Sequence, residues 1–254
     1  PKKYKKSAVF STFYYDYINP NKQNQQTIRE TISISGIGLH SGKQVKMKLV
    51  PAEVDQGVKF IRSDKKNNNV IDAIWSNVSE TVLSTTISNS SKLKISTIEH
   101  LMSALSGLHI DNLTIYIDAS EVPIMDGSSK PFVDLIENVG IEVQNKKRKV
   151  LNVKKVIEVK SNQSSAKIIP NNQFSIDFEI DFPSQLVSKQ SCQLQLINGN
   201  YKSDIAAART FGFEKDVEYL RANGLALGGS LDNAVVVGEN EILNKDGLRY
   251  ADEF

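Results

Sequence analysis

The stretch Ser96-Thr97-Ile98-Glu99-His100-Leu101-Met102 runs through Leu105 and Gly107 to Asp111-Asn112 and gives way to Leu113-Thr114-Ile115-Tyr116-Ile117. Ile98, Leu101, Met102 and Leu105 recur at i, i+3, i+4 and i+7, which makes one apolar helical stripe. Gly107 stands where such a helix ends. Residues 113–117 then alternate with period two, as a half-buried strand does. Ser96 with Glu99 three residues on has the spacing of a capping box. At roughly 100° per residue, Glu99 and His100 face away from the apolar stripe. Two readings fit this pair: a metal ligand beside a general base, or a capping box followed by a surface histidine.

Upstream, residues 27–35 carry β-branched side chains in near alternation and predict a strand. The glycine-rich 36–42 predicts a turn, and 45–50 pairs back as a hairpin. Further strands are expected at 58–62, 71–75 and 83–88. Downstream, 129–138 reads as a helix, with Pro131 near its start and Gly140 closing it. Residues 144–149 are polar and basic and predict a solvated linker. The second half repeats the grammar, with strands at 150–157, 166–170, 174–182 and 193–196. Helical character follows at 203–208 and 216–223, and a short strand at 233–237. The expectation is an α+β fold of two domains, 25–143 and 150–254, each a sheet layered with helices.

The 254 residues are 40% hydrophobic and 24% charged, ordinary for a globular chain. A net charge of +2 gives no argument for nucleic acid. One cysteine, Cys192, excludes an internal disulfide, and with three histidines it excludes a Cys-rich zinc site. No apolar run approaches the ~20 residues of a spanning helix. Lys2, Lys3, Lys5 and Lys6 precede Ala8-Val9-Phe10, but Tyr14, Tyr15, Asp16 and Tyr17 follow and no small-residue cleavage site does. Residues 1–24 are therefore expected to form an extension outside the core.

Besides Glu99-His100, three stretches could carry chemistry. Gly36–Gly42 could cradle phosphate through backbone N–H groups or serve as a plain hairpin turn. Ala208-Arg209-Thr210-Phe211-Gly212-Phe213 sets a polar triplet against two aromatics, either facing a substrate or ending a helix. Gly224-Leu225-Ala226-Leu227-Gly228-Gly229-Ser230 could line a narrow acyl passage or form a flexible loop.

Taken in order, Gly-Ile-Gly-Leu-His-Ser-Gly (36–42), Ile-Ser-Thr-Ile-Glu-His-Leu (95–101), Gly-Leu-His-Ile-Asp-Asn (107–112), Pro-Ile-Met-Asp-Gly-Ser (123–128), Ala-Arg-Thr-Phe-Gly-Phe (208–213), Leu-Gly-Gly-Ser (227–230) and Leu-Asn-Lys-Asp-Gly-Leu-Arg (243–249) resemble the UDP-3-O-acyl-N-acetylglucosamine deacetylases. The resemblance runs from about Gln26 to Phe254. It implies a cytoplasmic, monomeric zinc amidase of lipid A synthesis in Gram-negative bacteria. Such an enzyme removes acetate from the 2-amino group of UDP-3-O-acyl-N-acetylglucosamine in the committed step, at a site between two α+β domains.

The resemblance further implies that His100 is a zinc ligand, Glu99 the base for the attacking water, and Thr210 a neighbour of the acetyl carbonyl. Leu83 and Ser84 would face the metal. Phe182 would stack on uracil. An insert at about 211–239 would form the acyl passage, with Phe213, Val217, Ala226, Ala234 and Val236 as candidates for its lining and Phe211, Gly229 and Ser230 as further substrate-binding residues. In the family, an Asp-Glu-Phe like 252–254 is followed by His-x-x-x-Asp, which supplies the second and third zinc ligands on one helical face. That segment is not in this chain, which is therefore expected to be a C-terminally shortened form that binds Zn2+ poorly and is inactive by itself. Two competing readings are a non-catalytic UDP-sugar or lipid-binding protein on the same scaffold and a small-molecule kinase. The latter needs a phosphate loop that opens a helix, whereas 36–42 opens a strand.

Overall fold

The structure, a computed structural model, describes residues 5–11, 24–162, 164–172, 174–195 and 199–254. Residues 1–4 and 12–23 of the N-terminal extension, and Leu196 of the strand expected at 193–196, lie outside the described residues. The elements run β1 (Lys5–Ser11), β2 (Asn24–Ile28), β3 (Ile32–Ile37), β4 (Gln44–Pro51), β5 (Val58–Arg62), β6 (Val70–Asp72), β7 (Val78–Glu80), β8 (Thr86–Ser88), β9 (Lys94–Ile95), α1 (Glu99–Gly107), β10 (Leu113–Ile117) and α2 (Lys130–Val139). There follow β11 (Ile141–Lys147), β12 (Ile157–Ser161), β13 (Ser164–Ile168), β14 (Ser175–Asp181), β15 (Lys189–Gln195), α3 (Tyr201–Asp204), β16 (Phe211–Phe213), α4 (Glu214–Ala222) and β17 (Val235–Val237). The fold is α+β, as the alternation of periods predicts.

The first sheet has the order β3-β4-β10-β5-β6. Alternation along β4 buries Val45, Met47 and Leu49, and β10 buries Leu113, Ile115 and Ile117 on the same side. Leu101, Ala104 and Leu105 of α1 and Phe132, Val133 and Ile136 of α2 cover that face. Each Leu, Ile, Val, Phe or Met among them, removed from water, contributes about 1.5–3 kcal/mol, and Ala104 less. The expected strand at 27–35 is two strands, because the chain bends at Arg29–Glu30. Its first piece, β2, leaves the main sheet and pairs with β11.

The linker expected at 144–149 is mostly strand. Its polar residues find partners: Gln144 donates to the Ala52 carbonyl (2.8 Å), Lys146 pairs with Asp55, and Arg148 grips both oxygens of Asp111 at 2.7 Å. The strand expected at 150–157 starts only at Ile157. Val150, Leu151 and Val156 before it are exposed.

A second five-stranded sheet has the order β12-β13-β1-β14-β15. Residues 5–11, read from the sequence as lying outside the core, supply its middle strand, parallel to β13 and antiparallel to β14. The backbone groups of β13 and β14 that face each other across this gap need a strand to satisfy them. A smaller apolar cluster gathers Ile180, Val187, Phe213, Val235 and Val237. The two halves meet at α3: Tyr201 and Ala206 belong to the first core, and the Tyr201 hydroxyl lies 2.8 Å from that of Ser103 on α1. A Cβ on Gly107 would overlap the Tyr201 ring, so the small residue at the end of α1 also admits α3. Among the described residues, no helix is long and apolar enough to cross a membrane.

Candidate active site

The capping box expected at the start of α1 does not form. The residue before the helix is Ile98, in helical conformation, and no side chain caps it. Ser96 instead joins residue 120, its N–H and its hydroxyl donating to the Ser120 carbonyl at 2.9 and 3.2 Å. The reason lies between them: Thr97 has φ +56°, and this left-handed step turns Ser96 away from the helix axis. Glu99 becomes the first helical residue, and its Oε2 accepts the backbone N–H of Thr85 at 3.0 Å. This places the 83–85 hairpin tip beside the acid. The strand expected at 83–88 begins only at Thr86, and Leu83, with φ +62°, makes the turn. Leu83 is exposed and Ser84 half-buried.

Burial pushes the Glu99 carboxyl above its ordinary range, and the charge of Glu121 adds to this. The N–H groups of Glu99 and Thr85 and the charge of His40 pull the other way. Burial likewise holds the His100 imidazole below its ordinary value, against the opposing pull of Asp126. A neutral imidazole beside a carboxylate of raised basicity suits ligation or proton transfer at neutral pH.

The glycine turn between β3 and β4 docks onto the 224–230 loop. Leu227 donates to the His40 carbonyl at 3.2 Å and Gly228 to the Leu39 carbonyl at 3.0 Å. Ala226 N–H lies 3.4 Å from Nδ1 of His40, whose Nε2 is buried without a hydrogen-bond partner among the described residues. Two motifs far apart in the chain are thus one structure. A Cβ on Gly228 would overlap the Gly38 carbonyl, which explains the small residue there.

Thr210 reaches the same region by its backbone. Its N–H donates to the Gly127 carbonyl at 2.8 Å, and its own carbonyl accepts from Val235 at 2.9 Å. Asp126, next to Gly127, is bound by Arg249 at 2.9 Å. Arg209 is tied to Glu253 through its backbone N–H at 3.0 Å and its Nε at 2.7 Å. Sequence reasoning assigned no role to Asp126, Glu121 or His40. The signal for Asp126 was its place in Pro-Ile-Met-Asp-Gly-Ser, quoted only as a resemblance.

The candidate passage residues divide between two faces. β16 pairs in parallel with β17, matching Phe211 with Val235 and Phe213 with Val237. That face is the core: Phe213 is buried, and Phe182 packs 5.4 Å from Phe211 and 5.7 Å from Phe213, centroid to centroid. Ala234 and Val236 alternate to the opposite face and are half-buried. Val217, Ala226 and Gly229 are also half-buried, and Ser230 is exposed.

Among the described residues, no group of three or more His, Cys, Asp or Glu side chains could hold a metal ion. A zinc site needs at least three protein donors, and His100 could supply one of them. His109 sits past the end of α1, its carbonyl accepting from Arg148. The described residues therefore do not close a zinc site.

A family profile described as UDP-3-O-acyl N-acetylglycosamine deacetylase matches residues 25–254. A UDP-3-O-acyl-N-acetylglucosamine deacetylase of Syntrophus aciditrophicus is 47% identical over 230 residues, covering 91% of this chain and 73% of the relative. Proteins of the same name from Shewanella pealeana and Syntrophotalea carbinolica are 47% and 48% identical, covering 91% and 90% of this chain and 76% and 74% of theirs.

Proposed function

This chain belongs to the UDP-3-O-acyl N-acetylglycosamine deacetylase family, and from that premise we propose how its residues serve the reaction. The activity is deacetylation of UDP-3-O-acyl-N-acetylglucosamine, a hydrolysis in lipid A biosynthesis. Water adds to the acetamide carbon, the C–N bond breaks, and acetate and the free 2-amino sugar leave. Glu99 takes the proton of the attacking water, and a proton passes to the amide nitrogen as the C–N bond breaks. The Thr210 hydroxyl lies by the acetyl oxygen and donates to it as negative charge develops.

One observation carries this reading: Glu99 is released from capping its own helix and is held, half-buried, by the Thr85 N–H at 3.0 Å. Zn2+ is the ion the resemblance implies, and it would polarise the carbonyl. His100 would be one of its donors. The described residues supply no closed donor set, and by themselves they are expected to bind Zn2+ weakly and turn over little.

Val217, Ala226, Ala234 and Val236, with Gly229 and Ser230, form the acyl passage. Phe211 and Phe213 are the aromatic support behind it. Phe182 stacks on uracil, and Leu83 and Ser84 border the reacting centre. The two folding units are built on 25–143 and 150–254, the second completed by β1, with the site between them. The protein works as a monomer in the cytoplasm.

The test is acetate release from UDP-3-O-acyl-N-acetylglucosamine by the full-length gene product. Glu99→Ala should lower turnover by about 10²–10⁴-fold, the usual worth of a general base. Near-normal turnover in that variant overturns the assignment. Tight binding of the substrate with no acetate released would point to a UDP-sugar-binding protein on this scaffold instead.

A further inference from the structure

Glu121 takes no proton in that chemistry, although its charge adds to the upward push on the Glu99 carboxyl. It is only 2% exposed, yet no Lys or Arg pairs with it among the described residues. Its carboxylate accepts three hydrogen bonds from two separate segments. The backbone N–H groups of His40 and Ser41 donate at 2.8 Å each, and the Thr97 hydroxyl at 3.0 Å. A buried carboxylate persists only where such donors replace its water.

The surroundings are shaped for it. A Cβ on Gly38 would overlap the Glu121 carboxylate, so glycine there admits the charge. The segment that carries Glu121 is threaded between the two it ties: Ser96 bridges Glu121 on one side, and Gly38 bridges Pro123 on the other. Thr97 is the strained member. A β-branched residue at φ +56° is an outlier that persists only when its surroundings over-determine it, and such outliers gather at functional sites. Two residues later the chain enters α1 and presents Glu99 and His100.

We propose that Glu121 is a positioning residue for the Glu99–His100 pair. Its carboxylate holds Thr97 in the left-handed step that starts α1, and it fastens that start to the turn carrying His40. The directions in which Glu99 and His100 leave the helix are then set by a charge on a different segment. The catalytic consequence rests on the deacetylase reading; the clamp itself rests on geometry.

Three histidines make the clamp readable by imidazole 1H–15N spectra of the 254-residue chain. Glu121→Gln should move the His40 and His100 signals and leave His109 in place. A folded Glu121→Gln variant with all three unchanged overturns the proposal. Adding Thr97→Gly should return the His100 signal towards its original position, because glycine adopts positive φ without strain. No return would mean that Glu121 does not act through residue 97, and would overturn the proposal. If Glu121→Gln does not fold, Thr97→Val removes one bond and keeps the carboxylate and both backbone donors. It should shift His100 by less, and no shift counts against the clamp.

In the full-length gene product, Glu121→Gln should lower kcat by about 10²-fold, the cost of misplacing reacting groups by roughly 1 Å, with KM little changed. A change confined to KM would refute the positioning role. A wild-type product that releases no acetate defeats the deacetylase reading, while the spectra still decide the clamp.

Discussion

Glu253→Gln probes the ion pair that anchors the segment around Thr210. The Arg209 and Glu253 side chains are 8% and 0% exposed. Glu253 accepts from Arg209 N–H, Nε and Nη2 at 3.0, 2.7 and 3.0 Å, and from the Arg249 N–H at 2.6 Å. Removing one charge of a buried pair strands the other and costs roughly 3–5 kcal/mol. Glutamine keeps the shape and one acceptor, so the low end applies, about 3 kcal/mol. At ~2–4 °C per kcal/mol for a chain of this size, the melting temperature should fall by roughly 6–12 °C at pH 7.

The pH dependence has a definite sign. Burial pushes the Glu253 carboxyl up, but the Arg209 side chain and the N–H groups of Arg249 and Arg209 outweigh it and hold the carboxyl below its ordinary value of 4.5. The stability it contributes is therefore complete above pH 4.5 and lost as the pH falls through the lowered folded value. The gap between wild type and Glu253→Gln should narrow on acidification below that point. Arg209→Met with Glu253→Leu should melt above Glu253→Gln, since an apolar pair leaves no stranded charge. Melting within 1 °C of wild type at pH 7, by the ~2–4 °C scale above, or a gap that widens in acid would refute the reasoning.

Gly107→Ala sets two effects against each other: helix propensity favours alanine by about 1 kcal/mol, and overlap with the Tyr201 ring costs roughly 1–3 kcal/mol. Overlap should win, and a raised melting temperature would show that α3 does not pack as described. Gly228→Ala should push the 224–230 loop off the Gly38 carbonyl, seen as faster amide exchange at Leu227 and Gly228; unchanged exchange would contradict the docking. Val236→Phe in the full-length product should lower turnover of long-acyl substrate at least about tenfold while sparing a short-acyl analogue, because remote binding energy is what the proposed passage would supply. An equal loss for both substrates would remove Val236 from the lining.

Much of this protein is legible in its local patterns. The period-two runs at 45–50, 113–117 and 174–182, the strand at 58–62 and the stripe on α2 form where the sequence places them, because alternation and helical spacing fix which side can be buried. The helix at α1 was legible too, and so was its pairing of an acid with an imidazole. The contacts of Glu99 were not. Capping-box spacing was present in Ser96 and Glu99, but a cap requires the backbone to enter the helix in line, and the step at Thr97 prevents it. That step depends on Glu121, a residue whose neighbours in sequence say nothing of a buried charge. The 144–149 stretch departs from its solvated reading for a related reason: Lys146 and Arg148 pair with Asp55 and Asp111, which lie far away in the chain.

The sequence by itself determined the α+β class, the helix that carries Glu99 and His100, and, through the order of its motifs, the family. Only the tertiary structure decided that the 36–42 turn and the 224–230 loop are one surface, that Phe213 and Val236 face opposite ways, and that Glu121 braces the entry to α1. Periodicity is a property of neighbours along the chain. The hydrogen bonds that Glu121 accepts, and the one that Thr85 donates to Glu99, join residues 14 to 81 positions apart, and no local pattern encodes them.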